Sequence, residues 1–174
     1  MINIVLMKKN KELDDFCYFL GFEKTWFLDS EFVFLEGNNK KKILQQVRDA
    51  HARKMRVIYS ASDEEMLRFV LERTEIDIVC GMERVHPKDS VHFLRGGLDQ
   101  ILCKIARDHE KILLFSFASL LNSTERGKLL GRMMFNISLC KKFGVKMVFC
   151  NFSTERSELR SAKDLEATQR VMGV

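Results

Sequence analysis

The sequence contains a single proline, Pro87, and no Pro/Gly-rich linker, internal repeat or low-complexity tract. These absences argue against two domains joined by a flexible segment, and 174 residues of which 46% are hydrophobic are enough for one domain with a core. We therefore expect one domain over residues 1–174. No apolar run approaches the roughly 18 residues needed to cross a bilayer, and the charge of Lys8 and Lys9 follows the apolar N-terminal stretch, the reverse of a secretion signal. The expected location is the cytoplasm.

No two of the cysteines form a Cys-x-x-Cys motif. An odd number of widely spaced cysteines argues against a disulfide framework. We expect small thiols buried in the core. The five positions are Cys17, Cys80, Cys103, Cys140 and Cys150.

Short runs rich in Val, Ile, Leu and Phe alternate with longer segments that have apolar residues at helical spacing. The predicted strands are 2–7, 26–28 or 32–35, 55–59, 76–80, 112–116 and 146–150. The predicted helices are 11–20, 41–53, 63–73, 98–109, 124–143 and 162–172. Apolar strands that alternate with helices predict a parallel sheet buried on both faces, the α/β class. Two architectures fit six or seven such units: a TIM-like β/α barrel, whose closure at the C-terminal edge the pattern leaves open, and an open doubly wound parallel sheet.

Several helix ends can be read from the sequence. Ser62 followed by Glu65 predicts a capping box at the start of the helix at 63–73. Gly144 follows the basic end of the longest helix and predicts a left-handed C-cap, and Gly21 has the same part in the first helix.

The net charge of +5 is unevenly distributed along the chain. Residues 1–83 hold 13 Lys and Arg against 15 Asp and Glu, whereas residues 84–174 hold 16 against 9. A basic half-chain is typical of a protein that neutralises nucleic-acid phosphates, although a solvated basic face without such a role is the alternative.

Groups able to carry out acid–base or metal chemistry are scarce where a barrel enzyme needs them, at the C-terminal ends of its strands. The strand at 2–7 has no histidine, and therefore lacks the His-x-His pair of metal-dependent phosphoesterases with a similar barrel. Glu83, His86, Asp89 and His92 lie in one long loop and form the one plausible metal-binding cluster; loop histidines exposed to water or phosphate are the alternative. Nucleotide-binding glycine motifs and the Gly-x-Ser-x-Gly elbow are also missing.

The helix at 124–143 has an apolar stripe that we expect to face the core. The stripe consists of Leu129, Leu130, Met133, Met134, Ile137 and Cys140. Lys128, Arg132, Asn136 and Lys142 are expected on the opposite, polar side. Phe135 and Leu139 also fall on that side, where they would pack under a neighbouring helix or form part of a protein-binding surface.

A set of local motifs in the C-terminal half has a specific pattern. The motifs occupy residues 89–106, 116–121, 125–126, 129–134, 136 and 158–165. Together they resemble archaeal RNase P protein component 3, whose eukaryotic counterpart is the thirty-kilodalton RNase P subunit. The resemblance covers the C-terminal half of the chain well. In the N-terminal half only the general layout of the segments is similar.

The resemblance implies a TIM-like barrel that performs no bond chemistry and binds no cofactor of its own. It implies a subunit of ribonuclease P, the endonuclease that removes the 5′ leader of precursor tRNA. The RNA subunit would bind Mg²⁺ and cleave, and this chain would bind RNase P RNA with protein component 2 and other RNase P proteins.

Basic residues that coincide with the family pattern are the candidates for RNA contact implied by the resemblance. They are Arg68, Arg95, Arg132, Lys142, Lys146, Arg160 and Lys163. Each has a bland alternative as a solvated cation or an ion pair, for example Arg160 with Asp164. The turn at Gly96 and Gly97 would place a helix N-terminus beside Arg95, where it either holds an RNA phosphate or is structural.

Two other functions remain open at this point. One is a small metal-dependent phosphoesterase of similar barrel fold, which would need the loop cluster. The other is a general RNA chaperone, which would bind unrelated structured RNAs equally well.

Overall fold

In the computed structural model, which describes residues 1–90, 92 and 94–173, seven parallel strands form one curled sheet with its strands in chain order. The strands are β1 (Ile2–Lys8), β2 (Lys24–Leu28), β3 (Phe32–Leu35), β4 (Arg56–Ser60), β5 (Ile78–Cys80), β6 (Ile112–Ser116) and β7 (Lys146–Cys150). A doubly wound sheet would reverse its strand order near the middle. The sheet is instead a curled half-barrel, so the prediction of a TIM-like fold is confirmed and the doubly wound alternative is wrong.

Helices cover the outside of the sheet. They are α1 (Lys11–Phe19), α2 (Lys40–Ala52), α3 (Glu64–Arg73), α4 (Gln100–Asp108), α5 (Phe117–Leu121), α6 (Arg126–Phe143) and α7 (Ala162–Met172). The predicted helices agree with these to within two residues at each end, but α5 was not predicted. Val91 and Phe93, which belong to the motif at 89–106, lie outside the described residues.

The strands β2 and β3 follow one another without an intervening helix. Parallel strands normally need a long crossover, but β2 and β3 are staggered and share a single residue pair, Leu28 with Phe32. The turn between them uses the left-handed backbone of Asp29 (φ 60°), whose amide donates to the Phe32 carbonyl. The two segments predicted as alternatives are therefore both strands.

The sheet is buried on both faces. The inner cluster that fills the half-barrel comes from alternate positions of the strands and from the segment after β7: Ile4, Phe32, Ile58, Ile78, Cys80, Leu114, Cys150 and Phe152. A larger cluster lies between the sheet and the helices. All five cysteines are buried free thiols, as predicted. Among the described residues, no helix has the length and apolarity that crossing a membrane requires.

The edges of the sheet, β1 and β7, are brought together by the segment that follows β7. The amide of Phe152 donates to the Ile4 carbonyl (2.7 Å), and the amide of Leu6 donates to the Ser153 carbonyl (2.8 Å). The sheet is thus open as a strand ladder, but residues after β7 hydrogen-bond to its first strand.

Two of the helix-end predictions hold and one is displaced. Gly144 (φ 70°) and Gly21 (φ 89°) have the left-handed conformation expected of C-caps. At α3 the N-cap is Asp63, whose carboxylate accepts from the Met66 amide, and not Ser62. The capping box predicted from Ser62 is therefore wrong, and the N-cap lies one residue later.

The orientation predicted for α6 is partly wrong. Met134, placed in the core stripe, is 40% exposed, whereas Arg132 and Asn136, placed on the polar side, are buried. The reason is that the loop between β5 and α4 packs on that side of α6 and offers backbone carbonyls to both polar side chains.

Candidate nucleic-acid interface

The mouth of the half-barrel, at the C-terminal ends of the strands, is the position of the active site in TIM-type enzymes. It holds a cavity of about 270 Å³, lined by the carboxyl groups of Glu36, Glu83 and Glu158 and by one cation, Arg84. This surface is acidic and therefore a poor site for phosphate.

Glu83 is the unusual residue of this mouth. It is 2% exposed, and its Oε2 atom has no hydrogen-bond partner among the described residues. Burial raises the pKa of the Glu83 carboxyl above its ordinary value, an effect that Arg84 and Arg132 offset in part. The neutral form of this side chain is favoured where it stands.

Arg132 holds the loop between β5 and α4 in place. Its guanidinium contacts the Asp89 carboxylate at 2.7 Å and also donates to the backbone carbonyls of Glu83 (2.9 Å) and His86 (2.7 Å). The amide of Arg95 together with Arg132 holds the pKa of Asp89 below its usual range. The Arg132 side chain is 5% exposed. Its guanidinium therefore binds the protein's own loop.

One helical turn further along α6, Asn136 fixes the end of the same loop. Its side-chain amide donates to the Gly96 carbonyl (2.6 Å). Gly97 has φ 91°, and a Cβ atom at this position would lie 1.8 Å from the Met82 carbonyl oxygen. Glycine is therefore required at 97, and the Gly96-Gly97 pair forms a tightly packed turn. The following helix α4 is capped by Asp99, which accepts from the Leu102 amide (2.7 Å).

The four residues predicted as a metal-binding cluster do not converge. Asp89 is paired with Arg132, and Glu83 is buried at the mouth. His86 faces another acidic residue, with its Nε2 atom 3.8 Å from Oε2 of Glu64. His92 is exposed. Within residues 1–90, 92 and 94–173, no group of three or more His, Cys, Asp or Glu side chains is placed to hold a metal ion.

The seven predicted RNA contacts do not form one patch. Arg95, Arg160 and Lys163 lie on the side where the strands end, in the loop before α4, the loop after β7 and the first turn of α7. Lys142 and Lys146 lie at the opposite end of the barrel, where α6 ends and β7 begins. The remaining two, Arg68 and Arg132, are on the outer helices.

The local contacts of these side chains differ. Arg68 is exposed and forms an ion pair with Glu72 at 3.4 Å. Arg160 is half-buried and donates to the carbonyls of Ser157 and Leu159. The alternative pairing with Asp164 is not formed, because Asp164 is bound to Ser161 in the capping box of α7.

A group of cations at the N-terminal end of the barrel, which we call the basic rim, was only partly predicted. The basic rim consists of Lys104, Arg107, Lys141, Lys142 and Lys146, all exposed. Lys104 and Arg107 lie one turn apart on α4, and this spacing could have indicated a basic helix face. Lys141 was expected only to be part of the basic end of α6.

The fold and its site together define a TIM-like β/α barrel that has an acidic mouth and, in its described part, no gathered metal ligands. Neither a family model nor a curated protein matches the sequence. At the level of structure, the chain is similar to a chain in the cryo-EM structure of archaeal Ribonuclease P with mature tRNA. The TM-score is 0.83 at 19% sequence identity, over 99% of this chain and 82% of that one.

Larger proteins are similar over a smaller part of their length. An uncharacterised protein has a TM-score of 0.60 at 11% identity, over 83% of this chain and 40% of that chain. A prolidase complexed with N-methylphosphonate-L-proline has a TM-score of 0.55 at 12% identity, over 78% of this chain and 33% of that chain. At these identities the similarities establish the fold.

Proposed function

We propose that this chain is the protein component 3 subunit of an archaeal-type ribonuclease P. It binds RNase P RNA together with protein component 2 and supports removal of the 5′ leader from precursor tRNA. The observation that carries the proposal is the similarity over 99% of the chain to a chain of an archaeal Ribonuclease P, at a TM-score of 0.83. The family motifs at 89–106 and 158–165 support it independently.

In this function the protein contributes charge and shape, and the RNA subunit holds the Mg²⁺ that activates water for cleavage. Lysine and arginine side chains that contact phosphates reduce repulsion within the folded RNA, so that less Mg²⁺ is needed to hold the catalytic conformation.

The burial of Arg132 changes its part in the proposal. Because its guanidinium is bound by Asp89 and two loop carbonyls, Arg132 positions the loop that carries Arg95. Arg95 and Arg160 remain candidates for phosphate contact on that side of the molecule.

The test is cleavage of precursor tRNA by an archaeal-type RNase P RNA at limiting Mg²⁺, with protein component 2 present and this protein added or withheld. We expect the protein to raise the cleavage rate, and Arg160→Ala and Arg95→Ala each to reduce that gain. Arg170→Ala, which removes an exposed arginine from the last turn of α7, is the matched control and should leave the gain unchanged.

A folded protein that leaves cleavage unchanged, while the RNA is active at high Mg²⁺, would overturn the proposal. Metal analysis of the purified protein and its binding to unrelated RNAs then distinguish the remaining alternatives. Zn²⁺ or Mn²⁺ near stoichiometry would favour a phosphoesterase, and equal binding to unrelated structured RNAs would favour a general chaperone.

A further inference from the structure

The cavity at the mouth and the basic rim at the other end of the half-barrel differ in their charged groups. The mouth presents three glutamates and one arginine to its cavity. The basic rim presents five cations, and the carboxylates that contact them are Asp108 (2.7 Å from Arg107) and Glu110 (3.6 Å from Lys146). The rim therefore carries a net charge of about +3, which attracts a polyanion.

The members of the basic rim come from separate segments that packing brings together. In the sheet, β6 pairs with β7 so that Ile112 lies opposite Lys146. The aliphatic part of Arg107 reaches Gly144, since a Cβ atom placed there would be 4.0 Å from its Cδ. The ends of α4 and α6 and the start of β7 thus form one continuous surface.

Helix dipoles explain only part of this charge. Cations in the last turn of a helix complement its negative pole, which accounts for Arg107, Lys141 and Lys142. Lys104 precedes the last turn of α4, and Lys146 begins a strand, so neither is explained in this way. Both side chains remain exposed, and Lys146 is only weakly paired at 3.6 Å.

We propose that the basic rim is a phosphate-backbone binding surface for structured RNA, on the end of the barrel opposite to the position of TIM-barrel active sites. This inference rests on the proposed function and adds to it the surface that meets the RNA. Compact lysines bind phosphates as point charges without reading bases, so the rim contributes affinity and orientation and not sequence choice.

The chain contains a matched pair of lysine doublets for the test. Lys141 and Lys142 lie in the last turn of α6 on the rim, and Lys41 and Lys42 lie in the first turn of α2 on the mouth side. Each doublet loses two positive charges when both lysines are replaced by glutamine. Binding of an archaeal-type RNase P RNA to the full-length protein is measured by filter retention at several KCl concentrations.

We expect K141Q/K142Q to weaken binding by about fivefold or more and to reduce the slope of log Kd against log salt by about 1.5, as two lost phosphate contacts require. K41Q/K42Q should change the affinity by less than about twofold. K104Q/K146Q lies outside the last helical turns, so it tests the same surface if K141Q/K142Q is unstable, and it should have the same effect.

Equal effects of the rim and control doublets would overturn the inference, as would a wild-type protein that does not bind the RNA. A rim variant that keeps its RNA affinity but no longer stimulates cleavage with component 2 would show that the rim binds protein, and would also overturn it. Failure of the proposed function has a different signature, because the wild-type protein would then bind unrelated structured RNAs through the rim without stimulating cleavage.

Discussion

Arg132 and Asp89, separated by 43 positions in the sequence, form an ion pair at 2.7 Å that fixes the loop between β5 and α4 to the side of α6. The same guanidinium satisfies the carbonyls of Glu83 and His86. The pair is therefore part of the fold, and its loss has consequences for stability first and for RNA binding second.

Replacing Arg132 by alanine should lower the free energy of unfolding by about 2–4 kcal/mol, because two loop carbonyls and one carboxylate lose a buried partner. Urea unfolding measures this effect. Arg126→Ala, which removes an exposed arginine that donates to the Leu121 carbonyl, is the control and should cost less than about 1 kcal/mol. An Arg132→Ala protein of wild-type stability with impaired RNA binding would contradict the structural role.

Neighbouring methionines test the orientation of α6. Met133 is fully buried, whereas Met134 is 40% exposed. We expect Met133→Ala to cost about 2–5 kcal/mol and Met134→Ala less than about 1 kcal/mol, measured by thermal or urea unfolding. A large cost at both positions would restore the stripe predicted from the sequence, which contained both methionines.

Two glycines should respond to alanine in opposite directions. Gly97→Ala places a methyl group against the Met82 carbonyl at a residue with φ 91°, and should destabilise the protein by several kcal/mol, on the order of 3 or more. Gly127 is in helix α6 and a Cβ atom there meets nothing within 4 Å, so Gly127→Ala should stabilise by about 0.5–1 kcal/mol. Melting temperatures of the two variants decide the matter; a tolerated alanine at 97 would show that the loop does not pack as described.

The buried carboxyl of Glu83 predicts a pH dependence. Its pKa is raised in the folded protein, so the stability that this group contributes is present below its unfolded pKa and is lost as the pH rises through its folded value. Glu83→Gln should therefore gain stability relative to the wild type as the pH rises from below the ordinary pKa of glutamate to well above it.

Urea unfolding across this pH range provides the measurement, with the exposed Glu166→Gln as the control for a change of net charge. A margin that shrinks as the pH rises would mean that Glu83 is ionised in the folded state.

Local signals in the sequence were sufficient for most of the architecture. The strand at 112–116 and the helix at 162–172 were predicted with their observed bounds, because uninterrupted apolar runs and helical spacing depend on few neighbours. The five-residue helix α5 was missed, since one turn and a half has too little periodicity to stand out.

The site depended on information that no local pattern contains. Arg132 and Asn136 were assigned to a polar surface because their partners, Asp89 and Gly96, come from a loop about 40 positions upstream. The basic rim was missed for a similar reason: Arg107 and Gly144, which closes the helix that ends in Lys141 and Lys142, approach each other only when α4 and α6 pack together.

The contact between β1 and the segment after β7 can form only late in synthesis of the chain. Asn3 accepts hydrogen bonds from the backbone and side-chain amides of Asn151, 148 positions away, and Ile4 and Leu6 complete the contact with Phe152 and Ser153. At a synthesis rate of about 5–20 residues per second, β1 has left the ribosome on the order of ten seconds before its second partner exists. Through that interval one edge of β1 is unprotected and able to pair with other chains, so the newly made protein is most vulnerable to aggregation during translation.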